Sequence, residues 1–179
     1  MKKFKLINNI AGWAVFVIAV TTYIMTCEPT ASFWDCGEFI TCGYKLEVSH
    51  PPGYPMFAMI TRIAAMFAGG DPAKVPLAMN IYSGIASAFA VLFLFWIITH
   101  FALRIVGKKD EYSVKELITI IGSGAVGALA FTFSDSFWFS AVETIVFSSS
   151  TMFTAMIFWA MLKWEGSADQ KYANRWLVL

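Results

Sequence analysis

The chain has 179 residues, of which 58% are hydrophobic and only 14% charged, against about 25% charged in soluble domains; this is the composition of a membrane protein. A formal net charge of +1, with no stripe of Lys and Arg, gives no reason to expect a nucleic-acid partner, because phosphate neutralisation needs concentrated positive charge. Three cysteines, Cys27, Cys36 and Cys42, cannot all pair within one chain; a Cys36 to Cys42 bridge is conceivable, small buried thiols are favoured, and zinc would need more Cys or His nearby.

The N-terminus, "MKKFKLINNIAGWAVFVIAVTTYIMTCEP", imitates a signal peptide. Its apolar run from about residue 7 to 26 approaches the roughly 20 residues a spanning helix needs and lacks a small-x-small cleavage site. It is expected to be an uncleaved first span.

Next comes "FWDCGEFITCGYKLEVSHPPGYP", residues 33 to 55, with Asp35, Glu38, Glu47 and His50. Gly37 permits a sharp turn, and Asp35 and Glu38, three apart, can share one face of a short helix. Spacing leaves two roles open for Asp35: it caps that helix, or it forms with Glu38 a base and a partner that shifts its pKa or holds a metal. Pro51, Pro52 and Pro55 stiffen the chain and Gly53 relieves it. That stiffness holds His50 either to contact a phosphate or carboxylate, or as a turn residue making one backbone hydrogen bond.

The run 56–68, "MFAMITRIAAMFA", contains Arg62 and is too short to cross, which suits an interfacial helix or one packed on the bundle. Further spans are expected at about 77–103, 117–133 and 144–162, with a fifth run beginning at Trp176. In the third span Gly122, Ser123, Gly124, Gly127 and Ala128 give small residues that let helices approach closely in lipid. Residues 131–150, "FTFSDSFWFSAVETIVFSSS", set Asp135 and Glu143 around Phe137, Trp138 and Phe139, which fit an interfacial aromatic belt. Asp135 reads as a solvated turn residue or N-cap. Glu143, among apolar residues, needs a partner.

Lys2, Lys3 and Lys5, then Arg104, Lys108, Lys109 and Lys115, then Lys163, Lys171 and Arg175 fall on one side of this arrangement. The other side has Lys45, Arg62 and Lys74 beside Glu28, Asp35, Glu38, Glu47, Asp71, Asp135 and Glu143. The positive-inside rule therefore puts the N-terminus in the cytoplasm and the Asp35 loop outside, in the periplasm of a bacterium or the ER lumen of a eukaryote. The fold expected is all-α, a polytopic transmembrane helix bundle of about four spans with short interfacial helices in the first outer loop, forming one domain over residues 1–179.

The combination of "SFWDCGEFI", "KLEVSHPPGYPMF" and "FSDSFWFSAVETIVFSSS" resembles a family of polytopic membrane proteins long catalogued as a domain of unknown function. That family is abundant in Bacteroidetes-type bacteria and includes an animal ER enzyme that O-mannosylates the IPT domains of plexin-type receptors. The resemblance covers nearly the whole chain and implies a GT-C glycosyltransferase module that takes sugar from a polyprenyl-phosphate donor. It implies Asp35 as the catalytic acidic residue of the first outer loop, with Glu38 and Glu143 as further catalytic candidates. His50, Tyr54, Asp135 and Trp138 are the corresponding substrate-binding candidates. The expected partners are membrane lipid, the lipid-linked sugar, an exported acceptor protein with a Ser or Thr hydroxyl, and other membrane chains. No cofactor is specified, and use of a divalent metal is left open. The implied location is the inner membrane of a bacterium. Family members are longer, with many more spans, so the chain reads as the N-terminal part. Two other readings stand beside it: a non-enzymatic polytopic subunit of an inner-membrane assembly and, further off, a proton-coupled transporter, whose carboxylates should lie near mid-membrane.

Overall fold

The computed structural model describes residues 2–107, 109–170 and 172–178; Met1, Lys108, Lys171, Leu179 and the side chain of Lys2 lie outside the described residues. Every regular element among them is helical: α1 (Lys2–Met25), α2 (Cys36–Lys45), α3 (Pro55–Met66), α4 (Val75–Val106), α5 (Val114–Thr132), α6 (Asp135–Ala141) and α7 (Val146–Glu165), with 3₁₀ turns at Pro72–Lys74 and Ala173–Leu177. Four of these, α1, α4, α5 and α7, are long and apolar enough to cross a membrane. At 1.5 Å per residue, α7 with its 20 residues spans about 30 Å, the thickness of the hydrocarbon core. The 32 residues of α4 reach about 48 Å, so this helix projects well beyond that core.

The central helix is α4, which packs against α1, α5 and α7. Half of its most apolar stretch is buried, against 17–22% in the other three spans, and those three turn residues such as Leu6, Ile10, Val17, Val126 and Ile157 outward. So broad an apolar exterior suits lipid rather than water. Val15, Ala19 and Tyr23 of α1, Val91 and Phe95 of α4, Ala128 of α5 and Phe137 of α6 form the main core. Two of the small residues of α5 allow the close approach expected of them: a Cβ on Gly124 would lie 2.5 Å from Thr99 Cγ2 and 2.9 Å from Phe95, and one on Gly127 2.7 Å from Ile98. Gly122 faces open space and takes no part in this approach.

The alternation of long helices gives the bundle a basic and an acidic end. At the basic end, Arg104 near the close of α4 pairs with Glu165 at the close of α7, and Ser113 and Glu116 cap α5 reciprocally, a capping box. At the acidic end, Tyr23 Oη donates to the Thr132 carbonyl at 3.0 Å, joining the close of α1 to that of α5. Here α2 and α3 pack on each other and on the first turns of α4 through Cys36, Ile40, Ala64, Ala65, Val75 and Met79. Arg62 fixes the pair, donating to the Tyr44 carbonyl at 2.7 Å and lying over the Tyr44 ring. Thus the run 56–68 is a packed helix whose free face shows Met59, Ile63 and Met66.

One expectation needs correction. Phe137 does not join an exposed aromatic belt: it is 8% exposed and packs on Phe131 and Tyr23, because the short α6 turns that residue inward while Phe139 stays outside. Residues 173–177 form a 3₁₀ helix laid against α7, with Trp176 on Trp159. Of the two readings of the cysteines the favoured one holds, since Cys36 and Cys42 are both free and buried on one helix. Six residues of helix separate the two Cα atoms by about 9 Å, beyond disulfide reach.

Candidate active site

The site begins where α1 stops. Trp34 takes a left-handed φ of 70° and turns the chain into α2, so the sharp turn falls there, and Gly37 sits inside the first turn of α2 with open space around it. Asp35 occupies the position just before the helix but accepts no capping hydrogen bond. Its half-buried carboxylate is therefore left for another task. Phe33 and Trp34 beside it are 93% and 89% exposed, as aromatic residues at a membrane surface often are.

The second part of the site is the segment that follows α2. Leu46 ends the helix in the left-handed region, Gly53 takes φ 93° and donates to the His50 carbonyl at 2.9 Å, and the Pro51–Pro52 bond is cis. This tight turn carries His50 back over α2. Phe39, 3% exposed, anchors it from below, with ring centroids 5.5 Å from His50, 5.7 Å from Tyr54 and 5.6 Å from Phe57.

Above Phe39 the polar groups meet. The His50 backbone N–H donates to Glu38 Oε1 at 2.6 Å, and His50 Nδ1 lies 3.0 Å from Glu38 Oε2. Asp35, Glu38 and His50 each offer one ligand atom, and these atoms lie within 4.8 Å of one another. Two carboxylates and an imidazole at this spacing are also a donor set for one divalent cation. The hydrogen bonds from His50 hold the Glu38 carboxyl below its usual range, and the same carboxylate, with Asp35 behind it, raises the His50 imidazole. His50 thus makes more than the single backbone bond of a turn residue.

The remaining candidates stand apart from this trio. Glu143, 4% exposed, accepts a hydrogen bond from Ser32 Oγ, so the partner its position requires is a hydroxyl of the first loop. Trp138 Nε1 donates to Thr26 Oγ1 at 2.9 Å. Asp135 is exposed in the first turn of α6, where negative charge suits the helix dipole. Tyr54 joins the trio through its ring, 6.0 Å from His50.

Sequence reasoning missed the group that ties the loop to the bundle. Asn80, fully buried in α4, donates to the carbonyls of Glu28 at 2.8 Å and Thr30 at 3.0 Å, and accepts from Thr144. Glu28 N–H in turn donates to the Val142 carbonyl at 3.1 Å. The available signal was one amide in the apolar run "LAMNIYSG", since polar groups inside spans are kept for a reason.

Four helices of spanning length with carboxylates and a histidine gathered at one end define a polytopic helical membrane protein carrying an acidic site at the end of its bundle. Residues 35–179 match the family described as protein O-mannosyl-transferase TMEM260 N-terminal domain, and the chain belongs to that family. Among similar proteins, "Protein O-mannosyl-transferase tmem260" of Dictyostelium discoideum is 26% identical over 148 residues, covering 80% of this chain and 16% of that protein. "Protein O-mannosyl-transferase TMEM260" of Mus musculus is 26% identical over 163 residues, covering 90% and 20%. The chain thus spans a fifth or less of the length of these curated relatives. No solved structure matches it.

Proposed function

We propose that this chain is the N-terminal catalytic module of a GT-C-type protein O-mannosyltransferase, which moves mannose from a polyprenyl-phosphate donor to a Ser or Thr hydroxyl of an exported protein. One observation carries the reading: Asp35 is free of any capping bond and stands with Glu38 and His50 at the acidic end. The names of the two relatives support the sugar and the reaction.

Asp35 accepts the proton of the acceptor hydroxyl as that oxygen attacks the anomeric carbon. The bond from the anomeric carbon to the phosphate oxygen breaks, and its electron pair leaves on the polyprenyl phosphate. A general base of this kind is typically worth about 10² to 10⁴ in rate. Glu38 raises the His50 imidazole, and in its protonated form that ring would stand where it can meet the departing negative charge. A groove of about 540 Å³ between α3 and α7, lined by Tyr54, Phe57, Ile60, Val146 and Phe153 among others, gives an apolar chain a path that ends at Tyr54 beside His50. Glu143, through Ser32, positions the loop that carries Asp35.

The charge asymmetry supports an acidic end facing away from the cytoplasm. Both named relatives are eukaryotic and lend no weight to a bacterial inner membrane, so that part of the reading rests on sequence resemblance. In a bacterium the site would face the periplasm, in a eukaryote the ER lumen.

The test is transfer of labelled mannose from polyprenyl-phosphate mannose to a Ser/Thr-containing acceptor protein, in membranes holding the native-length protein or its Asp35→Asn variant. We expect a loss of about a hundredfold or more at unchanged expression. Equal transfer by both proteins would remove Asp35 as the base.

A further inference from the structure

The apolar surface of the bundle is deeper along α4 than along its neighbours. Between Lys74 and Arg104 this stretch carries no Asp, Glu, Lys or Arg, an uncharged length of about 45 Å against a hydrocarbon core of about 30 Å. The excess lies at the acidic end. A Cβ on Gly84 would meet Tyr23 Cβ at 3.3 Å, and Tyr23 reaches the Thr132 carbonyl where α5 closes, so Gly84 is level with the ends of α1 and α5. Residues 75–83 of α4, about 14 Å of helix, stand beyond them.

Helix α3 packs along this overhang, Ala64 and Ala65 meeting Val75 and Met79, and turns Met59, Ile63, Met66 and the following Phe67 outward. The one charge that could interrupt this outer face is withdrawn, because Arg62 is held by the carbonyl and ring of Tyr44. Between the two helices runs a groove of about 690 Å³, with Ile60, Ile63 and Phe67 on one wall and Leu77, Ile81 and Ile85 on the other. Among the described residues that line it, the polar side chains are Lys74 and Tyr82, and the Tyr82 hydroxyl is taken by Ser149 Oγ at 2.8 Å. From Lys74 to Ile85 the α4 wall measures about 16 Å, close to the depth of one leaflet of the hydrocarbon core. Lys74 pairs with Asp71 at 3.4 Å, so a pair of opposite charges marks the outer end of an apolar wall.

We infer that the outer face of α3 and α4 is a lipid-binding surface, whose groove holds an acyl chain of a phospholipid from the leaflet at the acidic end. The face continues the apolar exterior of α4 without an intervening charge, its groove has the length of one leaflet, and the Asp71–Lys74 pair complements the ammonium and phosphate of a zwitterionic headgroup. In water the same face would be a large exposed apolar patch. A bilayer meets a span longer than its core by tilt of the helix or by local thickening, and either response carries the leaflet up along α3. Because the chain is drawn from among other lipid tails, its transfer brings no hydrophobic gain; packing in the groove and the charged rim decide its residence. This groove is separate from the one against α7, with Ile60 alone lining both, and the inference stands apart from the transferase reading.

The experiment uses the native-length protein in dioleoylphosphatidylcholine vesicles. In one arm the unmodified protein is irradiated with a phosphatidylcholine that carries a diazirine in its acyl chain, and cross-linked peptides are mapped. Peptides holding residues 60–67 and 77–85 should be labelled at least as strongly as the peptide of Ile157, an outward residue of α7. In the other arm a spin label is placed by Ile63→Cys or Phe67→Cys, both exposed positions that tolerate the change. Its relaxation should respond several-fold more to oxygen, which concentrates in lipid, than to a water-soluble nickel chelate. A stronger response to nickel would put the face in water, and no response to either reagent together with absent cross-links would put it under protein; each result overturns the proposal. Cross-links at these residues that polyprenyl phosphate competes away would assign the groove to the sugar donor, and would overturn it as well.

Discussion

Glu38 holds His50 twice, by the backbone N–H at 2.6 Å and by the ring Nδ1 at 3.0 Å. The grip raises the imidazole from its ordinary 6.5 and lowers the carboxyl from its ordinary 4.5. By linkage, the contribution of His50 is complete below pH 6.5 and is lost as pH rises through its raised value. That of Glu38 is complete above pH 4.5 and is lost as pH falls through its lowered value. Both are present between 4.5 and 6.5. The pair is well exposed, with side chains 41% and 38% accessible, so salt weakens it. An NMR titration of the His50 ring should give a midpoint above 6.5 that moves back toward 6.5 in Glu38→Gln and at high salt. A wild-type midpoint at or below 6.5 would show that the pair does not form.

Asn80 offers a different kind of test, because it joins the loop to the bundle without belonging to the trio. Asn80→Leu strands the Glu28 and Thr30 carbonyls and the Thr144 hydroxyl. With unsatisfied groups costing about 1 to 3 kcal/mol each, partly recovered by water at this end of the bundle, a net loss of about 2 kcal/mol is expected. Thermal unfolding in detergent measures it, and hydrogen exchange should show residues 26–35 opening before the helices. Glu143→Gln keeps an acceptor for Ser32 and should leave both stability and transfer close to wild type. If Glu143→Gln abolishes transfer while the loop stays protected, Glu143 belongs to the chemistry and the positioning role is wrong.

The division between what sequence conveyed and what it hid follows from the range of the interactions. Apolar runs of spanning length appear directly as α1, α4, α5 and α7, since the hydrocarbon core imposes length and composition on each helix separately. The three-residue spacing of Asp35 and Glu38 likewise predicts a shared helical face, because that relation is local. His50 was legible only as a stiffened residue: its bond to Glu38 spans 12 residues of chain and depends on how the turn after Leu46 folds back. Asn80 and Glu143 were hardest, since their partners lie 52 and 111 residues away and no local pattern names them. Asp35 shows the converse, a residue well placed to cap α2 that does not do so.

Cys27 lies in the loop after α1 with its Sγ near the Glu28 and Val142 carbonyls. Burial, and secondarily the charge of Glu28, pushes its thiol up to about 11; burial, and then Glu38 and Glu47, raises Cys42. The thiolate is the reactive form, so at pH 7.5 these thiols should react slowly with maleimide in the folded protein and quickly after denaturation. Intact mass after a short labelling pulse counts the modified sites. Rapid labelling of Cys27 at neutral pH would mean the loop opens far more than its hydrogen bonds to α6 and α4 suggest.

The contact between α4 and α5 can be tested with a pair of glycines only two residues apart. A Cβ on Gly124 would press on Thr99 Cγ2 and on the ring of Phe95, a fully buried core residue, while one on Gly122 meets nothing within 4 Å. Forcing bulk into a filled interface typically costs about 1 to 3 kcal/mol, and in lipid close packing supplies much of the association between helices. Gly124→Val should therefore lower the unfolding temperature markedly and Gly122→Val little, although both add the same side chain to the same helix. The control matters because valine for glycine also changes intrinsic helix propensity, and that change is common to both variants. Equal destabilisation of the two would mean that propensity, not the approach of α5 to α4, sets the stability of this end of the bundle.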